Sequence, residues 1–106
     1  MDIYQLSDLE ERELIPGFHG RLVHSEKMTF VYWRIEEGAV LPAHSHPHEQ
    51  VAHTFTGEFE LTIEGETQLL TQDSIAVIPG NAQHWGKALT ACKIMDAFQP
   101  VREDYR

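Results

Sequence analysis

Three histidines and a glutamine fall at alternate positions in one short run, His44-Ser45-His46-Pro47-His48-Glu49-Gln50, and a further imidazole, His84, follows in a second turn-rich segment. Neutral imidazole is the commonest side-chain ligand for divalent transition metals. An ordinary core has no use for imidazoles at this density, so the run points to a bound metal. His44 and His46 are two apart and point to one face of an extended segment; Gln50 shares their parity if the strand stays regular past Pro47. His84 has to arrive from a neighbouring strand. Four ligands from two strands on one face leave positions open on a six-coordinate ion, which marks a catalytic or ligand-binding centre rather than a structural one. His48 has the same parity, but Pro42 and Pro47 bend this segment, and a place at the rim or behind the ligands is expected for it. His19, His24 and His53 stand outside any such pattern and read as structural or surface residues. The bland alternatives are loop histidines at 44 and 46, a satisfied core imidazole at 84, and an orienting role for Gln50 behind the ligands.

A second group lies near the C-terminus. Asp96 and Phe98 share a strand face, and Arg102 follows a proline-directed turn that can swing it over the same opening. An acid, an aromatic ring and a guanidinium around a metal suit a sugar acid. Arginine grips a carboxylate with two parallel hydrogen bonds. Phenylalanine can lie against the apolar face of a pyranose, and an aspartate beside a metal can move a proton. The bland alternative is strand-end packing, with a surface ion pair among Arg102, Glu103 and Asp104.

These residues must be positioned by one small scaffold. At 106 residues with 42% hydrophobic content the chain is expected to be a single domain, 1–106, with one core. Its one cysteine, Cys92, excludes an internal disulfide and a cysteine-based zinc site. That fits a reducing compartment, and a cytoplasmic location is expected. The first residues carry neither a basic nor an apolar region, so no signal peptide is expected, and no apolar run reaches membrane-spanning length. The formal net charge of −9 repels phosphate backbones, which argues against nucleic acid as a partner. It also repels a small acid, unless a local positive site overrides the global field.

The chain reads as strand after strand. Met28 to Ile35 is rich in β-branched and aromatic residues; Val51 to Phe55 and Phe59 to Ile63 alternate apolar with polar. Thr56-Gly57-Glu58 and Glu64-Gly65-Glu66 are tight turns, the second leading into Thr67 to Leu70. Ser74 to Ile78 reads as a short buried strand stopped by Pro79-Gly80-Asn81, and Gln83 to Ala88 and Ala91 to Phe98 complete the set. Only Ser7 to Glu13 suggests a short helical turn, opened by Ser7 or Asp8 as cap. Short strands divided by Gly/Pro turns predict an all-β antiparallel sandwich or barrel.

Gly38-x5-His44-x-His46-x3-Gln50-x6-Gly57 resembles the first signature of the cupins, and Asp73-x5-Pro79-x-Asn81-x2-His84 the second. The resemblance runs from about Val31 to Phe98. It implies a double-stranded β-helix (jelly roll) with His44, His46, Gln50 and His84 on the metal. There are departures. Gln50 stands where most cupins have glutamate, Ala88 where asparagine is frequent, and Asp73 and Asn81 where glycines are usual. Asp and Asn tolerate a left-handed backbone better than most residues. A glutamine leaves the ion's +2 charge uncancelled by any ligand. That leans toward a Lewis acid for anionic oxygens, able to draw an acid in against the −9 surface. Such a donor set accepts nickel, zinc, manganese or ferrous iron.

The tail, together with His44 to Gln50, resembles the small pectin- and alginate-degradation cupins of the KdgF type. That resemblance implies an enzyme converting 4,5-unsaturated monouronates, released by polysaccharide lyases, from the cyclic to the linear keto form. It places Asp96, Phe98 and Arg102 in the active site, with Asp96 as general acid/base, Arg102 as carboxylate clamp and Phe98 as ring platform. The rival readings are a cupin dioxygenase using ferrous iron, a non-catalytic sugar-acid-binding cupin, and a different sugar or polyketide isomerase. A homodimer is expected, with the N-terminal segment, Met1 to Ile15, as a candidate for exchange between copies.

Overall fold

Alternation of burial along the strands explains which side chains reach the site. The computed structural model describes residues 1–106. It contains ten strands: β1 Arg12–Ile15, β2 Phe18–His24, β3 Thr29–Ile35, β4 Val40–His44, β5 Glu49–Thr56, β6 Phe59–Ile63, β7 Glu66–Leu70, β8 Ile75–Ile78, β9 His84–Ala88 and β10 Cys92–Gln99. On β3 the residues Thr29, Val31, Trp33 and Ile35 point inward, and on β10 Cys92, Ile94, Asp96 and Phe98 do so. β5 turns Gln50, Ala52 and Thr54 inward, and β9 turns His84, Gly86 and Ala88 inward. This is the period of two that a half-buried strand requires.

The strands form two antiparallel sheets, ordered β1-β2-β3-β10-β5-β8 and β4-β9-β6-β7. The sheets face each other across an apolar core that includes Phe18, Val31, Ile35, Phe59, Leu61 and Phe98. This is the jelly-roll architecture expected from the paired motifs. Asp73 and Asn81 both have positive φ, +63° and +67°, so each occupies the left-handed turn position that the motif reading assigned to it. Gly57 (φ +93°) cannot be replaced there: a Cβ would collide with the Ala91 carbonyl oxygen and lie 2.7 Å from Cys92 Sγ.

Several expectations are corrected. The helical turn over Ser7 to Glu13 shrinks to a 3-10 turn at Leu6–Asp8 with no side-chain cap, and Arg12 and Glu13 already belong to β1. β2 has no counterpart in the sequence reading, because His19, Gly20 and Arg21 dilute its alternation. It forms because β1 folds back on it through Pro16-Gly17, with Arg12 opposite Gly20 and Glu13 opposite His19. The N-terminal strand thus pairs within its own chain. Ser74 to Ile78 is not a fully buried strand: β8 is the edge of the six-stranded sheet, Ile78 is 1% exposed, and Ile75 and Val77 are 62% exposed on its outer face. No helix is long and apolar enough to cross a membrane.

Candidate active site

β4 delivers His44 as its last residue and β9 delivers His84 as its first, and the two are register partners across the four-stranded sheet. Their ring centroids lie 4.2 Å apart. His46 sits just beyond β4, where its carbonyl oxygen accepts a 2.7 Å hydrogen bond from the Asn81 N–H. Its ring centroid is 5.6 Å from that of His44 and 5.2 Å from that of His84. The three imidazoles each bring a nitrogen within 4.8 Å of the others.

Hydrogen bonding sets their tautomers. Nδ1 of His44 is 2.8 Å from the Pro42 carbonyl oxygen, and Nδ1 of His84 is 2.9 Å from that of Ala82. A carbonyl oxygen only accepts, so each Nδ1 carries the hydrogen and each Nε2 keeps a free lone pair. Nε2 of His84, both ring nitrogens of His46 and Oε1 of Gln50 are buried with no partner. Buried polar atoms are normally satisfied, so this concentration of unpartnered polar atoms, with one free lone pair per imidazole, fits a donor set for a cation. Burial, and then the charge of Arg102, pushes His46 down to about 4. Burial also holds His84 below its ordinary value. Both rings are therefore neutral at neutral pH, the form that ligates a metal.

Gln50 reaches the site by a route that parity did not foresee. The strand does not stay regular past Pro47: β4 ends at His44, the chain bends, and Gln50 belongs to β5 in the opposite sheet. The four residues therefore come from both sheets and one loop rather than from two strands on one face. His48 lies beside the histidine cluster, 5.4 Å from the His46 ring, and its Nε2–H donates to the Val101 carbonyl oxygen at 3.2 Å.

Beside this cluster lies a cavity of about 320 Å³, bounded at its polar end by His44, Gln50, His84, Asp96 and Arg102, with walls that include Phe18, Trp33 and Leu61. Asp96 is 9% exposed. Its Oδ2 accepts a 2.8 Å hydrogen bond from Trp33 Nε1–H, and its Oδ1 has no partner. Burial lifts the Asp96 carboxyl to about 6 against the pull of Gln50, Trp33 and Arg102. The Gln50 amide is near enough to act on Asp96 in this way, but no well-formed hydrogen bond joins them, since Oδ1 remains unsatisfied.

Past the cis Gln99–Pro100 bond the chain returns across the mouth. The Arg102 N–H donates to Thr29 Oγ1 at 2.9 Å, and Arg12 Nη1–H donates to the Tyr105 carbonyl oxygen at 2.9 Å. Arg102 is 6% exposed; its guanidinium lies 4.7 Å from the Phe98 ring centroid and 4.0 Å from that of Tyr105, and donates from Nε and Nη2 to the two oxygens of Asp104 at 3.0 and 2.7 Å.

Residues 31–98 match the family model described as the cupin domain. The chain is a cupin. Over 96 residues it is 30% identical to the pectin degradation protein KdgF of Dickeya dadantii, with 88% of this chain and 87% of that protein covered. The structure of KdgF from a Halomonas species superposes with a TM-score of 0.93 at 26% identity, covering 100% of this cupin and 99% of that chain. An RmlC-like cupin from Shewanella frigidimarina has the same fold, with a TM-score of 0.94 at 23% identity over 100% and 96% of the two chains.

The cupin fold thus gathers Asp96, Phe98 and Arg102 beside the histidine cluster. Two details differ from the sequence reading. The ion pair with Asp104 does form, yet it belongs to a buried guanidinium that also lines the cavity, while Glu103 pairs with Arg106 at 3.3 Å. Phe98 is 2% exposed with Arg102 over its face and His46 at 5.6 Å, so its ring supports the guanidinium as well as walling the cavity. Trp33 and Tyr105 were missed. The signal for Trp33 was an indole at an inward parity of β3, since a buried indole N–H needs an acceptor. His19 lies 2.8 Å from Glu36 and 3.4 Å from Glu13, a largely exposed trio, while His24 meets Thr29 at 2.8 Å and His53 meets Asp73 at 3.3 Å.

Proposed function

We propose that this cupin converts 4,5-unsaturated monouronates from the cyclic to the linear keto form, with one divalent metal held by His44, His46, Gln50 and His84. The observation that carries the reading is the convergence in one cavity of a histidine cluster with open nitrogens, a buried carboxyl lifted to about 6 and a buried guanidinium. Similarity to a pectin degradation protein along most of both chains supports the substrate class.

Isomerisation needs one proton moved. Ring opening removes the hydrogen of the hemiacetal hydroxyl and breaks the bond between the anomeric carbon and the ring oxygen. Ketonisation adds a proton to the alkene carbon remote from the carboxylate, and no redox change occurs. Asp96 takes the first proton at Oδ1 and delivers it to carbon, a task suited to a carboxyl lifted toward neutrality. Arg102 holds the substrate carboxylate through Nη1, the nitrogen that Asp104 does not occupy. Phe98 keeps the guanidinium in place and excludes water. The metal, when bound, supplies Lewis-acid stabilisation of developing negative oxygen, undiminished because its four protein ligands are neutral.

The test is the ultraviolet absorbance of a purified 4,5-unsaturated monouronate. Faster loss with protein, abolished by a chelator and restored by nickel, zinc, manganese or ferrous iron, is expected. A rate equal to the spontaneous one removes the enzymatic reading; thermal stabilisation by the uronate without turnover would leave a sugar-acid-binding cupin. A homodimer completes the proposal, with light scattering as its check: a monomer removes it.

A further inference from the structure

We propose that Trp33 is a positioning residue for this reaction: its indole anchors Oδ2 of Asp96 and so presents Oδ1 alone to the substrate. The inference rests on Asp96 being the proton carrier. Asp96 on β10 is paired with Val31 on β3 and with Ala52 on β5, and Trp33 is the next inward-facing residue along β3. From there its Nε1–H reaches Oδ2 at 2.8 Å in a buried hydrogen bond spanning 63 positions of sequence. An indole donates and never accepts. Oδ2 is therefore an acceptor whatever the state of the carboxyl, and since the carbonyl-type oxygen is the better acceptor, a proton on Asp96 is favoured on Oδ1. Oδ1 is the oxygen left buried without a partner in a group that lines the cavity. A carboxylate without such an anchor is free to turn about its last torsion and exchange its two oxygens.

The anchor is itself held. Trp33 is 8% exposed and meets Phe18 edge-on at 5.9 Å and Tyr105 edge-on at 6.3 Å. Opposite it on β2 stands Gly20, where a Cβ would lie 3.0 Å from Cζ3 and 3.2 Å from Cε3 of the indole. The missing side chain makes room for the six-membered ring. Packing on three sides thus fixes the donor, and the donor fixes the acid. Core packing alone would need the ring but not its N–H.

Trp33→Phe keeps the ring and removes the donor. Its expected effect is a fall in kcat of about 10- to 100-fold, the scale of a misplaced catalytic group, with KM changed less than about 3-fold because phenylalanine keeps an aromatic wall on the cavity. Retention of kcat in W33F, or a change confined to KM, overturns the proposal. Asp96→Asn is measured beside it. A fully active D96N overturns the proton-carrier reading and this inference together, whereas an inactive D96N with full kcat in W33F overturns only the role of Trp33. A second measurement does not need W33F to fold. The chain has two tryptophans, and Trp85, 38% exposed, is an internal reference for Trp33. In the nitrogen-proton spectrum, the Trp33 indole resonance should move in Asp96→Ala while that of Trp85 stays. An unmoved Trp33 resonance overturns the anchor.

Discussion

Replacing Asp96 by asparagine should change how stability depends on pH, and the size of the change can be worked from the site. Burial lifts the carboxyl from an ordinary 3.8 to about 6 in the folded protein. Between those values the folded state binds a proton that the unfolded state has released. Protonation then favours folding, so this contribution is fully present below about pH 4 and is lost as pH rises to about 6. At about 1.4 kcal/mol per pH unit the loss is about 3 kcal/mol. His46 works in the opposite direction. Its folded value of about 4 against an ordinary 6.5 adds stability as pH rises across nearly the same window. The wild-type curve is therefore flattened, and the difference between wild type and D96N isolates the acid. Asparagine keeps an oxygen for the Trp33 indole, so the substitution removes the ionisation with little else. The assay is urea unfolding of chelator-treated protein at half-unit steps from about pH 4 to 7. The stability of wild type minus that of D96N should fall by about 2 kcal/mol between pH 4 and 6, most of the total, and level off by pH 7. A difference that is flat or rises with pH would refute the claim that burial, rather than its hydrogen bonds, controls Asp96.

Other expected outcomes concern the site and the scaffold. His84→Ala should weaken binding of added nickel or zinc by at least about 10-fold in calorimetry and remove most of the metal-induced rise in melting temperature, which for wild type at 100-fold excess over Kd corresponds to about 2.7 kcal/mol. Gly57→Ala should cost about 2–4 kcal/mol in urea unfolding, since a Cβ there meets Ala91 and Cys92 at a backbone φ of +93°. On β8, Ile78→Ala should cost about 2–5 kcal/mol while Val77→Thr stays within about 0.5 kcal/mol, because only the first side chain is in the core.

Some of this protein is legible from adjacent residues alone. Spacing in the run from His44 to Gln50, with His84 beyond, pointed to a cluster of metal-capable side chains, and the three histidines do converge, because side-chain type and local spacing are properties of neighbouring positions. The left-handed turns at Asp73 and Asn81 were legible for the same reason: a backbone torsion is decided largely by the residue that adopts it. Most strands were legible through their alternation, and β2, where His19, Gly20 and Arg21 break the pattern, was not. Edge and centre were indistinguishable too. Ile75 and Val77 carry the apolar side chains of a buried strand, but whether a second layer covers them depends on sheet order.

What only the tertiary structure decided is which distant residues meet. Gln50 enters from the sheet opposite His44 and His84, Arg102 is pinned to Thr29 across 73 positions, and Trp33 finds Asp96 across 63. Those meetings follow from strand register, and register is selected by how whole faces pack rather than by any local preference. The histidines, read alone, raised the expectation of a metal. The sheets then set a carboxyl and a guanidinium beside them, and burial lifted that carboxyl toward neutrality.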